Sequence, residues 1–181
     1  MSKEALIIVD MSNDFVSDAG SLTAGRPAQE IVPYIKDQAD KFYSEGKLVV
    51  FTMDAHEEND LHFQLWPPHN IVGTEGQELF GDLKEWYEQH KVHKNRVWYI
   101  PKTNYNAFYK TGLAEMLREQ GIEKVHVTGV CTDICSYQTV AGANAAGFKT
   151  AIHKRGNATF TDLGNTFIEH MKLCFHTEII E

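Results

Sequence analysis

The sequence predicts an α/β fold, a three-layer α/β/α sandwich on a six-stranded parallel sheet, in one domain spanning residues 1–181. Short apolar runs alternate with helix-patterned stretches along the whole chain. Most of those runs are apolar on both faces, as parallel strands covered by crossover helices must be. No internal repeat or low-complexity tract breaks the alternation, and 181 residues are enough to bury a sizeable core.

The six strand candidates, in order, are ALIIVD (5–10), KLVVFTMD (47–54), RVWYIPK (96–102), KVHVTGV (124–130), KTAIHK (149–154) and CFHTEII (174–180). Between the first two, Ile31, Ile35, Ala39 and Phe42 recur at helical spacing, so 28–45 reads as a helix closed by Gly46. Residues 77–91 read as helical despite Gly81 in their middle. Three more helices fall at 111–120, stopping at Gly121, at 134–146, stopping at Gly147, and at 162–173. The stretch 54–74 is the one long irregular segment, and a loop of that length in a compact domain is usually functional.

A net charge of −8 with no basic stripe argues against a nucleic-acid partner. No run of about 18 apolar residues is present to span a membrane, and residues 1–9 read as a first strand rather than a signal peptide. Three sparse cysteines, Cys131, Cys135 and Cys174, suggest free thiols in a reducing cytoplasm, with Cys174 packed in the last strand. A small-molecule substrate is the expected partner, and a homo-oligomer is left open.

In open parallel sheets the ligand sits beyond the carboxyl ends of the strands. The first strand ends in Asp10, the second in Asp54, the third in Lys102, and the fourth runs into Cys131 and Cys135. Singly, each has a bland account: an aspartate that caps a loop, a solvated lysine, a cysteine that packs as a small hydrophobe. Together they bring an acid, a cation and a thiol to one rim. Near a helix start and beside an ammonium, the Cys135 thiol is expected to shift toward thiolate. An aspartate in reach can take its proton and return it to a leaving group. Backbone N–H groups of Cys131 and Cys135 can hold a developing oxyanion.

The loop DAHEENDLHFQLWPPHN (54–70) gathers Asp54, His56, His62 and His69. One carboxylate with up to three imidazoles suits a single divalent ion, zinc, iron or manganese alike. The competing account is an acidic, histidine-rich surface loop, strongest for His62. Glu57, Glu58 and Asp60 read as solvated, and Trp66 as either a flat ring beside the site or a loop anchor. His126 and His153, on strands, read as core or edge positions.

Four segments, IIVDMSNDF (7–15), DAHEENDLHFQLWPPHNIVGTEG (54–76), IPKTNYNAF (100–108) and VTGVCTDICSYQTVAGANAAGF (127–148), resemble the nicotinamidase/pyrazinamidase branch of the isochorismatase-like hydrolases. The resemblance runs from Ile7 to about Thr150. It implies Asp10, Lys102 and Cys135 as catalytic triad and Asp54, His56, His62 and His69 as metal ligands. It further implies a cis bond at Val130–Cys131, an oxyanion hole from the Cys131 and Cys135 N–H groups, and Phe15 and Trp66 flanking the substrate ring. The implied activity is metal-dependent hydrolysis of nicotinamide to nicotinate and ammonia through a Cys135 thioester. The alternatives are a hydrolase of the same family acting on another small amide or ureide, a metal-independent isochorismate hydrolase, and a non-catalytic scaffold. Cys131 departs from the small residue common in relatives, the ligand loop is shorter than in some, and the pattern drifts after residue 150.

Overall fold

The computed structural model describes residues 4–181. Six parallel strands form one sheet: β1 (Glu4–Val9), β2 (Leu48–Asp54), β3 (Val97–Lys102), β4 (Lys124–Val130), β5 (Lys149–Ala158) and β6 (Glu178–Ile180), in the order β3-β2-β1-β4-β5-β6. The helices are α1 (Asn13–Val16), α2 (Arg26–Glu30), α3 (Val32–Ser44), α4 (Asp82–His90), α5 (Leu113–Glu119), α6 (Tyr137–Ala145) and α7 (Gly164–Phe175).

The two-sided strands explain the layers. On β1, Leu6 and Ile8 point into a core closed by Ile35, Ala39 and Phe42 of α3 and Leu83 and Trp86 of α4. Ala5, Ile7 and Val9 point the other way, against Leu113 and Leu117 of α5, Val140 and Ala143 of α6, and Ile168 and Met171 of α7. Burying each large aliphatic side chain contributes about 1.5–3 kcal/mol, so both faces drive the fold. Truncating Ile35, fully buried, to alanine would cost about 2–5 kcal/mol.

Sequence order reverses at β1: β2 and β3 extend the sheet one way, β4 to β6 the other. The crevice at this switch point is where an open α/β sheet accepts a ligand. Gly129, at φ 119°, permits the close pairing there, since a Cβ on it would lie 2.0 Å from Val9 O.

Several boundaries differ from expectation. The helix expected over 28–45 is two helices meeting at Ile31, because Pro33 has no N–H to continue a ladder and sits in the first turn of α3. Gly81 is the N-cap of α4 at φ 53°, not its middle, and Leu79 before it bridges to Ser12. The last strand starts only at Glu178. Cys174 belongs to α7 and is exposed, because the helix continues until His176 caps it at φ 52°. Strand β5 runs four residues beyond the expected Lys154, to Ala158. Of the expected opening segment, residues 1–3 lie outside the described residues. Among the described residues no helix is long and apolar enough to cross a membrane.

Candidate active site

The ends of β1, β2 and β3 meet in a buried ion cluster. Asp10, at φ 54°, donates its N–H to Thr52 O (2.9 Å) and accepts the Asp54 N–H on Oδ1 (2.8 Å). Lys102 Nζ donates to Asp54 Oδ1 (2.5 Å) and Asn104 O (3.1 Å) and lies 2.7 Å from Asp10 Oδ2. That last contact is an ion pair off the hydrogen-bond axis, so Asp10 Oδ2 keeps accepting capacity. Acidic oxygens of Asp10 and Asp54 and the Cys135 Sγ all fall within 4.8 Å of one another.

Two carboxylates share one ammonium, which leaves one excess negative charge in a buried place. Burial and the neighbouring Asp54 charge raise Asp10 from 3.8 to about 6, against the pull of Lys102. Burial also opposes the Asp54 charge, but Lys102 and the neighbouring imidazoles of His56 and His69 outweigh it, holding this carboxyl well below the usual range. Lys102 is likewise held charged by its two acids against its own burial. Asp10 is therefore the member of the cluster that can change protonation near neutral pH.

The expected shift of Cys135 toward thiolate is not what the cluster produces. Burial pushes this thiol well above its ordinary value; Lys102 opposes, while Asp10 and Asp54 add to the rise. The physical reason is burial itself, which the Lys102 ammonium, bonded to Asp54 and Asn104 and paired with Asp10, does not outweigh. At rest the site holds a thiol beside a carboxylate with room for its proton.

Cys135 lies on a π turn, Thr132–Ser136, that precedes α6, rather than one turn into an α-helix. The Val130–Cys131 bond is cis. Ile134 and Ser136 both donate N–H to Cys131 O (3.0 and 3.1 Å), which fixes the turn carrying Cys135. The side chain of Cys131 is buried as well, and that burial pushes its thiol up to about 12.

Across the rim, His56, His62 and His69 place one ring nitrogen each within 4.8 Å of the others. His56 Nδ1 meets Asp60 Oδ2 (2.8 Å) and His69 Nδ1 meets Pro67 O (2.7 Å), so both rings turn Nε2 inward as acceptors. His56 Nε2 is buried and has no hydrogen-bond partner. Asp54 Oδ2 lies 3.6 Å from His56 Nε2 and 3.8 Å from His69 Nε2. His62 is half-buried and stacks on His56 at 4.8 Å. An orphaned imidazole nitrogen among three like groups and a carboxylate oxygen fits a borderline divalent ion. Asp60 is not merely solvated as expected: it orients His56 and caps the 3-10 turn Leu61–Gln64.

Between the two groups lies a small, partly enclosed pocket. Its lining includes Phe15, Trp66, Asp54, His62, His69, Cys131 and Cys135. Sequence reasoning missed Tyr105, Ile134 and Phe160. Tyr105 OH accepts from Trp66 Nε1 (2.9 Å), and Phe160 meets the Trp66 ring edge-on at 6.3 Å. Thr159 and Thr161, on either side of Phe160, each donate to Asp133 of the π turn (2.6 Å). Tyr105 sat in a motif already singled out; Phe160 carried no signal.

A family model described as the isochorismatase domain matches residues 4–179, well past Thr150, where the sequence pattern had drifted. The isochorismatase family protein PncA of Bacillus subtilis is 42% identical over 168 residues, covering 91% of each chain. A crystal structure of nicotinamidase/pyrazinamidase PncA from Bacillus subtilis agrees at a TM-score of 0.96 and 41% identity, covering 99% of this chain and 100% of that one. The pyrazinamidase of Pyrococcus horikoshii in complex with zinc agrees at 0.87 and 29% identity, covering 99% of each. This chain belongs to the isochorismatase-domain family of hydrolases.

Proposed function

We propose that this chain is one hydrolase domain that converts nicotinamide to nicotinate and ammonia, in a reducing, cytoplasmic setting. The observation that carries the reading is the buried Asp10–Lys102–Cys135 group at one end of a small aromatic pocket and three converging histidines at the other. The similar nicotinamidase/pyrazinamidase structures support it.

In the proposed reaction, Cys135 Sγ attacks the carboxamide carbon while Asp10 takes the thiol proton. The N–H groups of Cys131 and Cys135 face the developing oxyanion. Asp10 then returns the proton to the departing ammonia, leaving a thioester. Asp10 next deprotonates a water that attacks the thioester, releasing nicotinate and the thiol. Lys102 keeps Asp10 aimed and its charge partly balanced. Phe15 and Trp66 flank the ring. Asp54, His56, His62 and His69 would hold one divalent ion, whose chemistry there is to bind the pyridine nitrogen and orient the ring. The convergence of these histidines on the pocket also weighs against the metal-independent isochorismate reading.

The test is ammonia release from nicotinamide by purified protein, with and without chelator. Turnover that chelator removes and zinc, iron or manganese restores is expected. Absence of turnover with metal supplied, or indifference to chelator, overturns the substrate or the metal part respectively.

A further inference from the structure

We propose that Asn70 is a positioning residue that sets the metal-holding group, tying the ends of β1 and β2 to the ligand loop; this rests on the reading of His56, His69 and Asp54 as ligands. Asn70 follows His69, is fully buried and adopts φ 46°. All its polar groups are used over long sequence separations. Its N–H donates to Asp14 Oδ2 (2.7 Å) and its C=O accepts the His56 N–H (3.0 Å). Its side-chain Oδ1 accepts from Ser12 Oγ (2.8 Å), and its Nδ2 donates to Asp54 O (3.3 Å).

Two of those partners, Ser12 and Asp14, belong to the segment that carries Phe15 to the pocket. Ser12 caps α1, which carries Phe15. Asp14 also accepts the Ser21 N–H (3.2 Å) and packs where a Cβ on Gly76 would lie 2.3 Å from it. A left-handed turn residue needs only backbone freedom, which glycine would supply as well. The amide is accounted for by Ser12 and Asp54, one beside the Asp10 strand end and the other within the proposed ligand set. These ties hold the main chain that carries Asp54 and His56, and groups that support metal ligands from behind typically govern affinity by about 10–100-fold.

Asn70→Gly separates the two roles: it keeps the turn and both main-chain bonds and removes only the side-chain ties. The measurement is zinc affinity of metal-stripped protein by competition with a chromophoric chelator, alongside its metal-free Tm. Asn70→Gly is expected to weaken zinc binding about 10–100-fold, and Ser12→Ala less, with the pair non-additive. Metal-free Tm should change by only a few degrees, and kcat at saturating zinc should largely recover while more zinc is needed to reach it. Zinc affinity within about twofold of the parent in Asn70→Gly, whatever its Tm, overturns the proposal and leaves Asn70 a packing residue. Should the glycine variant not fold, unchanged affinity in Ser12→Ala does the same. If the parent binds no zinc, or His56→Ala binds it as the parent does, the metal reading itself fails and the Asn70 proposal falls with it.

Discussion

His56 and His69 of the loop 54–70 and the two histidines beneath α3 are all buried, yet their nitrogens are spent differently. His126 on β4 and His153 on β5 hydrogen-bond one another (3.0 Å), and His153 meets Tyr34 OH (2.9 Å). Phe42 of α3 packs edge-on against His126 at 5.1 Å, and His126 Nε2 faces Glu4 at 3.7 Å. Between sheet and helix the pair uses three of its four ring nitrogens, and the fourth, His126 Nε2, stays unpaired beside Glu4 with no second free nitrogen converging on it. In the loop, by contrast, the Nδ1 atoms of His56 and His69 are tied behind, their Nε2 atoms converge on Asp54 Oδ2, and His62 and His69 line the pocket. A ligand site is marked by where the free nitrogens converge, and the number of buried histidines says little.

The largest test of this contrast lies at the rim. Cys135→Ala is expected to lower nicotinamide turnover by about three orders of magnitude or more with Tm nearly unchanged, measured by ammonia release and a melting curve. Turnover within about tenfold of the parent would remove the catalytic meaning of the rim cluster. Next come the metal measurements. His56→Ala and His69→Ala should lose the ion, His62→Ala should weaken it, and His126→Gln and His153→Gln should keep full stoichiometry by mass spectrometry. Loss of metal in the β4–β5 pair with retention in the loop would invert the comparison.

The two regions also separate in pH. Asp10 must be ionised to take a proton, so kcat/KM should fall as pH drops through about 6. Its effect on stability has the opposite slope, because the folded form binds that proton more tightly between 3.8 and about 6. His153 is lowered from 6.5 to about 4, first by burial and then by His126 and the nearby lysines Lys41 and Lys124, with Glu178 opposing. Its protonation costs stability as pH falls below 6.5, reaching about 2 kcal/mol at about pH 5. Urea titrations should therefore show His153→Gln losing less stability than the parent between pH 7.5 and 5. An equal loss would mean that His153 is already charged in the folded state. The smallest effect belongs to Cys131→Ala, expected within about tenfold of parental turnover since only its backbone N–H is assigned a part. A larger loss would give its thiol a part in the reaction beside that of Cys135.

Much of this was legible in the sequence. Apolar runs without alternation announce buried parallel strands, and Asp10, Asp54 and Lys102 announce themselves as polar residues where such runs stop. What stayed hidden depends on partners far along the chain. Cys135 looked activated because Lys102 was in prospect. Only the fold shows that lysine shared among Asp54, Asn104 and Asp10. Asp60 reads as a loop acid until His56 is seen against it. Cys174 reads as a strand residue because CFHTEII is apolar enough, and the break at His176 rests on a left-handed conformation that histidine seldom announces.

The clasp of Asp133 on Thr159 and Thr161 bears on how such an enzyme can diverge. The residues assigned to bond making are interlocked and buried, so exchanging any of them disturbs its neighbours. Phe160 is half exposed and stands on a turn whose two anchoring hydrogen bonds come from the residues beside it, not from its own side chain. Its ring can be replaced while the anchors stay, reshaping the pocket mouth without touching the chemistry behind it. Within this architecture, that turn is a place where substrate preference can change while the buried cluster is kept.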